Sequence, residues 1–162
     1  MLREVSDSDL GALLRWRNHP EVRKASFTTH EIGEAEHRRW WSRVCADPTR
    51  RVLIYEHRST PCGVVTFSGL DGAEAWWGFY LDLDGLGESG ELLHAWLGLE
   101  KAAIAHAFGP LGLRVLRGEV LAANEAVLRF HRRCGFTESG RHVREIDGEE
   151  QVVVHMELRR GR

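Results

Sequence analysis

Hydrophobic residues along the chain fall into short runs with two different periods, and these predict strands and helices mixed in one fold. Apolar residues three or four positions apart indicate helices, whereas β-branched or alternating runs bounded by turn residues indicate strands. The predicted order is β-α-α-β-β-β-α-β-α-β-β, an α+β fold with a mixed, mostly antiparallel sheet and flanking helices. The predicted strands cover residues 2–5, 52–56, 62–68, 73–83, 115–121, 137–146 and 149–158.

Start and stop residues bound the first three predicted helices. The first ends before Pro20, because proline disfavours the helical region at the residue that precedes it. The second covers residues 34–44. The third covers residues 97–108, and its start lies upstream, near either Ser89 or His94.

The stretch from 114 to 136 carries the most specific local pattern. After its predicted strand, Asn124 offers a side-chain oxygen to the first N–H groups of a following helix. Gly135 stands where helices commonly end in a left-handed conformation. One face of this fourth helix is formed by Val127, Phe130, His131 and Cys134.

Composition indicates one soluble domain that spans residues 1–162. The 22 Lys and Arg residues nearly balance 24 Asp and Glu residues, which gives no electrostatic reason to expect a nucleic-acid partner. The three cysteines lack Cys-x-x-Cys spacing, so we expect no disulfide framework, no metal site and a reducing cytoplasm. No apolar run has the length of a membrane span, and no membrane partner is expected. The oligomeric state stays open, a homodimer included.

The stretch from 114 to 136 resembles the end of the GCN5-related N-acetyltransferase (GNAT) fold, whose usual form is Asn-x-x-Ala-x-x-Leu-Tyr-x-x-x-Gly-Phe. The resemblance implies that two parallel strands splay apart and that the pantetheine arm of acetyl-CoA lies between them. The matching positions, which would contact this arm or shape its pocket, are Asn124, Val127, Phe130, His131, Gly135 and Phe136.

His131 stands where the family has a tyrosine that protonates the departing thiolate. Histidine can donate a proton near neutral pH, so the resemblance implies that His131 is the catalytic acid. The alternative is a histidine buried at a helix–sheet contact, with its polar atoms hydrogen-bonded there.

A second stretch resembles a narrower group, the amino-sugar N-acetyltransferases of the PseH type, which acetylate the 4-amine of a UDP-linked amino sugar. The resemblance implies that Arg17 and His37 line the nucleotide-sugar pocket, with Trp41 as an aromatic wall. For Arg17 the alternative is a stem packed on the surface with its charged head in water. The shared positions are Leu13, Arg15, Trp16, Arg17, Asn18, His19, Pro20, Val22, Arg23, Ile32, His37 and Trp40 or Trp41.

The predicted strand 73–83 supplies further candidate residues. Gly78 in its middle predicts a bulge or a close backbone approach. By resemblance, a free backbone N–H near Phe79 to Leu81 would polarise the thioester carbonyl as an oxyanion hole. Tyr80 would face the acceptor, and Ser68 and Gly69 would neighbour the sugar. The residues implied to flank the cofactor are Phe79, Leu81 and Leu83.

Residues 84–91 are predicted to form a glycine-rich loop that is acidic and lacks the Arg or Gln that opens the loop in the family. In the family, backbone N–H groups of this loop and the following helix N-terminus hold the CoA pyrophosphate. The residues implied for this role are Gly85, Gly87, Ser89 and Gly90.

The sequence therefore predicts acetyl transfer from acetyl-CoA to a primary amine, most closely that of a UDP-linked amino sugar. No Gly-x-Ser-x-Gly pattern is present, so we expect direct attack without an acyl-enzyme. His37 or an ordered water would be the base, and no metal is needed. One alternative is a RimJ/RimL-like enzyme acting on a protein N-terminus or a small amine. The other is a binding module for acyl-CoA without catalysis.

Overall fold

A computed structural model describes residues 1–161 and shows a seven-stranded sheet. The strand order is β1-β2-β3-β4-β5-β7-β6, and β4–β5 is the parallel pair among antiparallel ones. The predicted α+β class and the mostly antiparallel sheet are confirmed. The strands are β1 Leu2–Glu4, β2 Arg51–His57, β3 Thr60–Ser68, β4 Glu74–Leu81, β5 Val115–Leu121, β6 Thr137–Ile146 and β7 Glu149–Arg159.

Six α-helices within residues 1–161 accompany the sheet, two more than the sequence predicted. The first of the two additions is α2, because Pro20 both ends one helix and begins the next. Proline suits the first helical position, where its missing N–H needs no partner, and the His19 ring accepts from the Glu21 N–H at 3.1 Å. The helices are α1 Leu10–Arg17, α2 Pro20–Lys24, α3 Glu34–Ala46, α4 Leu83–Ser89, α5 Leu92–Phe108 and α6 Glu125–Arg133.

The prediction that residues 84–91 form a glycine-rich loop was wrong, because most of these residues belong to α4. The Asp82 carboxylate caps this helix by accepting from the Gly85 N–H at 3.0 Å, and Leu86 is buried on its inner side. These two contributions outweigh the low helix propensity of glycine. Gly90 then ends α4 in the left-handed region, with φ of 72°. The next helix begins at Leu92, between the two predicted starts.

The long helix α5 packs on the sheet through small residues. Gly98 allows the approach, because a Cβ at this position would collide with the hydroxyl of the buried Tyr55. The buried positions of α5 are Ala95, Leu99, Glu100, Ala103 and Ala107.

Within residues 1–161, every helix is too short or too polar to span a membrane.

Arg3 ties β1 to the start of the helical region. Its guanidinium donates to both oxygens of Asp9, at 2.8 and 3.0 Å, and to Glu56 at 3.2 Å. The hydrogen bonds from Arg3, more than those from Ser6, hold the pKa of the Asp9 carboxyl well below its usual range.

We expect Asp9→Asn to lower the free energy of unfolding by about 1 kcal/mol at pH 7. A depressed folded-state pKa stabilises the protein above the unfolded pKa of about 3.9, and this stabilisation is lost as pH falls below it. The difference from wild type should therefore shrink between about pH 5 and pH 2 in urea unfolding series. Glu34→Gln, which breaks the exposed pair with Arg38, is the control and should change little. A difference for Asp9→Asn that is constant with pH would contradict this account.

Candidate active site

β4 and β5 run side by side for only part of their length. Their ladder extends from the pair Glu74–Val115 to the pair Trp77–Gly118, after which β4 pairs only with β3 and β5 only with β7. Strands that part inside a sheet leave a wedge-shaped gap with unpaired backbone groups on its walls. The expected splayed strand pair is therefore present.

The ladder between β3 and β4 determines which backbone groups face this gap. The Asp82 N–H donates to the Cys62 carbonyl at 2.8 Å, and the register between the two strands is regular. Successive strand residues point their backbone groups to opposite sides, so the Tyr80 N–H faces β3. The N–H groups of Phe79 and Leu81 then face the gap and form two adjacent amide donors on one wall.

Gly78 lies at the point where β4 leaves β5. The prediction of a bulge at Gly78 was wrong, because Gly78 pairs with Thr66 in regular register. The structure shows the close approach that was the other expectation. A Cβ at Gly78 would lie 3.2 Å from Thr66 Oγ1, and this hydroxyl donates to the Gly78 carbonyl at 3.4 Å. The glycine therefore provides space rather than an irregular ladder.

The gap opens into a cavity of about 630 Å³, which is within the usual range for small-molecule sites. Its walls come from β4, β5, the first turns of α5 and α6, and the segment 21–27 that includes most of α2. The predicted cofactor or acceptor residues that line it are Phe79, Tyr80, Leu81, Leu83, Asn124, Val127 and His131.

Helix α6 brings Asn124 and His131 to the same cavity. The Asn124 side chain accepts from the Val127 N–H at 3.5 Å and so begins the helix at the mouth of the gap. Val127 and His131 are four residues apart, so they share the face that looks into the cavity. Phe130 points elsewhere and stacks on Trp96, with 4.3 Å between ring centroids.

His131 is held by a buried carboxylate that was not among the predicted site residues. Its Nδ1 shares a hydrogen bond of 2.6 Å with Oε1 of Glu100, which has no exposed surface. Oε2 of Glu100 makes no hydrogen bond to another described residue. The neighbouring Cys134 thiol has its pKa raised to about 11 by burial and by Glu100, so it stays protonated at neutral pH. The Glu100–His131 pair is thus the buried polar contact beneath the cavity.

Aromatic rings fix the plane of His131 on its other sides. Trp77, Phe79 and Phe136 have ring centroids 5.4, 6.1 and 5.2 Å from that of His131. These rings exclude water and carry no formal charge. Since Nδ1 is engaged with Glu100, Nε2 is the nitrogen that remains for a ligand in the cavity.

The charged residues among those described as lining the cavity are Glu21, Lys24 and Glu119. Glu119 lies on β5 just past Gly118, where the strands part. The cavity can therefore offer carboxylates as well as one ammonium group to an acceptor.

Arg17 and His37, the predicted acceptor residues, do not line this cavity. Among residues 1–161, Nη1 of the half-buried Arg17 has no hydrogen-bond partner, and Nη2 donates to the Thr28 carbonyl at 3.0 Å in an exposed contact. The surface-stem alternative for Arg17, with the charged head in water, is therefore contradicted at Nη1 and not at Nη2. Burial and the charge of Arg17 lower the pKa of His37, while burial raises the pKa of Tyr80 against the opposing effect of Arg17.

Several other predicted site residues lie outside the cavity lining. Ser68 pairs with Trp76 at the closed end of the strand pair, away from the gap. The Gly85 N–H is already taken by Asp82, so it cannot hold a phosphate as predicted. The predicted residues that do not line the cavity are Arg17, His37, Trp41, Ser68, Gly69, Gly85, Gly87, Ser89, Gly90 and Phe130.

Glu100, Glu119 and the segment 21–27 were not predicted as site residues, although Val22 and Arg23 were among the positions shared with the PseH-type group. One signal existed for Glu100, which precedes Ala103 and Ala107 by three and seven positions on an apolar helical stripe. A carboxylate on such a stripe indicates a buried partner. No local pattern distinguishes Glu119 or the segment 21–27, because strand pairing and chain packing bring them to the cavity.

We expect Asn124→Ala to raise KM for acetyl-CoA and to lower the free energy of unfolding by about 0.5 kcal/mol, since the cap bond is long. The control is Asp47→Ala, which removes two hydrogen bonds to Thr49, and neither residue lines the cavity. It should lower stability and leave KM unchanged. Initial rates and urea unfolding of both variants test this, and an equal rise in KM for Asp47→Ala would contradict it.

Comparison with known proteins agrees with this geometry. PseH, an acetyltransferase of Campylobacter jejuni, is 23% identical over 136 residues, which cover 83% of this chain and 80% of that protein. Spermidine N-acetyltransferase from Vibrio cholerae, solved with CoA and spermine, has a TM-score of 0.82 at 19% identity, covering 98% of this chain and 94% of that one. Ribosomal-protein-alanine N-acetyltransferase from Brucella melitensis has a TM-score of 0.78 at 20% identity, covering 98% and 99%.

A family model also matches most of the chain. Residues 1–137 match the family model described as an acetyltransferase (GNAT) domain. The strand parting, the Asn124-capped helix and the cavity between them are the features that the resemblance led us to expect. The chain belongs to the GNAT family and is an N-acetyltransferase.

Proposed function

We propose that the protein transfers the acetyl group of acetyl-CoA to the 4-amine of a UDP-linked amino sugar by direct attack. The observation that carries the transfer chemistry is the gap between β4 and β5, with amide donors on one wall and His131 on another. The acceptor class is supported by the similarity to PseH and by Lys24 on the cavity lining. A basic side chain there suits a diphosphate.

The cofactor would lie along the unpaired edge of β4. The N–H groups of Phe79 and Leu81 are placed to bond the thioester and pantetheine carbonyls, with Asn124 on the opposite wall. Helix α5 begins at Leu92, which lines the cavity, and its first N–H groups have no side-chain cap. Such a helix N-terminus favours an anion, so it replaces residues 84–90 as the proposed pyrophosphate site.

The reaction needs a neutral amine, a stabilised oxyanion and a proton for the thiolate. The amine nitrogen attacks the thioester carbonyl carbon, and the oxyanion takes hydrogen bonds from the amides of β4. The carbon–sulfur bond then breaks, and the proton for the thiolate comes from His131 Nε2. Glu119, directly or through a water, takes the amine proton, because it lines the cavity whereas His37 is 5% exposed and does not line it.

A cationic amine, such as a polyamine or a protein N-terminus, is the second candidate acceptor. Glu21 and Glu119 on the cavity lining favour it, since cationic substrates are bound by carboxylates. Arg17 does not line the cavity, which removes one argument for an anionic acceptor. The match to an acetyltransferase domain favours an enzyme over the other alternative, a module that binds acyl-CoA without catalysis.

A panel of acceptors separates the two candidates. We expect UDP-4-amino sugar to give kcat/KM at least ~10-fold above spermidine, Ser- or Ala-starting peptides and aminoglycosides, measured as thiol release. Lys24→Glu should raise KM for the sugar about tenfold with little change in kcat, because it removes binding that ground and transition state share. Lys101→Glu, outside the cavity lining, is the matched control. Spermidine as the best acceptor, with Lys24→Glu improving it, would establish the second candidate instead.

A further inference from the structure

Three side chains that can bind a metal meet on one face of the sheet beside the cavity. Glu119 on β5 lies directly opposite His155 on β7. His142 on β6 pairs with Val153, so it lies one diagonal step from His155 on the same face. Nδ1 of His142 and Nε2 of His155 are 2.7 Å apart, and the ligand atoms of all three residues lie within 4.8 Å of one another.

The sheet holds these rings in position. His142 and His155 are half-buried, and the Trp76 ring meets that of His155 edge-on at 5.6 Å. Gly140 lies directly opposite His155 on β6. Ligands on three paired strands are preorganised in a way that loop residues are not.

Glu119 brings a negative charge that its neighbours do not neutralise. Arg117, two residues before it on β5, is already paired with Glu74 at 3.0 Å and Glu157 at 3.2 Å. No salt bridge of Glu119 occurs within residues 1–161. A carboxylate without a salt bridge therefore lies next to two imidazole nitrogens, and these three groups together can coordinate a cation.

We propose that Glu119, His142 and His155 bind one divalent transition-metal ion, with Zn²⁺ the best-suited. Imidazole nitrogen and carboxylate oxygen are zinc ligands, and three protein ligands leave a further position open to solvent or a small molecule. Zinc–nitrogen bonds of about 2.0–2.1 Å in tetrahedral geometry place two nitrogens about 3.3 Å apart. The rings therefore need to separate by only about 0.6 Å from their present 2.7 Å.

The proton between the two rings does not prevent binding. One histidine donates it to the other, and each ring has a second nitrogen that makes no hydrogen bond to another residue among 1–161. The proton can move to that second nitrogen, so both rings stay neutral and both facing lone pairs become available. Since Glu119 also lines the cavity, a bound ion places positive charge at its acceptor end and occupies the carboxylate that would otherwise take the amine proton, so Glu119 serves as the proposed base only in the metal-free protein.

Zn²⁺ titration by calorimetry on the untagged full chain, freed of metal by a chelator, tests this proposal. We expect one saturable site per chain, and Co²⁺ in place of zinc should give the visible absorption of a site with nitrogen ligands. His142→Ala and His155→Ala should each weaken binding at least ~10-fold, and Glu119→Gln should weaken it as well. This readout needs no turnover, so it stands apart from the proposed acceptor.

The matched control is His30→Ala, because His30 is paired with Glu36 at 3.0 Å elsewhere on the surface. It should leave the affinity unchanged. Thermal melting in chelator shows whether each variant is folded. If His142→Ala is not folded, the milder change His142→Gln removes the same ligand and takes its place. Absence of a saturable site in the wild type, or equal affinity in the folded His142 and His155 variants, would overturn the proposal and leave a hydrogen-bonded histidine pair.

Discussion

Replacing His131 by alanine is expected to lower kcat for acetyl transfer by about two to three orders of magnitude, with a small change in KM for acetyl-CoA. A positioned acid contributes about 10²–10⁴ to such a step, and this ring is held rigidly with Nε2 as the free nitrogen. Stopped-flow or steady-state thiol release measures the effect. His131→Tyr restores the acid that the family uses, so it should recover part of the rate.

His106→Ala is the control for this loss. His106 is also on a helix and stacks on Phe67 at 5.8 Å, but it does not line the cavity. Its removal should cost stability without a specific loss of kcat. A near wild-type rate in folded His131→Ala would remove His131 from the mechanism.

Replacing Glu100 by glutamine is expected to lower kcat about 10- to 100-fold at pH 8 and less at pH 6. The two side chains share a hydrogen bond of 2.6 Å, and Glu100 has no exposed surface. A buried carboxylate beside the ring offsets the positive charge that the ring carries before it gives a proton to the thiolate, so it favours the donating form. Glutamine carries no charge, so this contribution is lost.

The pH–rate profile distinguishes an effect of Glu100 on proton donation by His131 from an effect on packing alone. The groups packed against His131 from other elements are the rings of Trp77, Phe79 and Phe136, which do not titrate in this range. The nearby Cys134 thiol stays protonated because its pKa is about 11. The basic limb of the profile should therefore move to lower pH in Glu100→Gln. A loss of rate that is equal at every pH would mean that Glu100 only supports the packing.

Sequence predicted the elements whose signals act over a few residues. The strand Val115–Leu121, the Asn124 cap and the glycine stop at Gly135 were all found because each depends on local backbone chemistry. The turn between the two predicted strands 137–146 and 149–158 also depends on local backbone chemistry, since Asp147 and Gly148 have φ of 52° and 79°. In α4 the glycines indicated a loop, while the Asp82 cap that decides the outcome was present but overlooked.

Much of the site depends on contacts between distant parts of the chain. Glu100 and His131 are 31 residues apart, and only the packing of α5 against α6 brings them together. Glu119, His142 and His155 meet through strand pairing, without any spacing that indicates a metal site. Arg17 was placed in the acceptor pocket by resemblance, and its actual place outside the cavity lining required the packed structure.

The most direct test of the account is amide-resolved hydrogen exchange with and without acetyl-CoA. The unpaired N–H groups of Phe79 and Leu81 should exchange quickly in the free protein and become protected on binding. The Tyr80 N–H, paired with β3, should be protected in both states. Unchanged exchange at Phe79 and Leu81 under saturating acetyl-CoA would contradict the claim that the thioester lies between the parted strands.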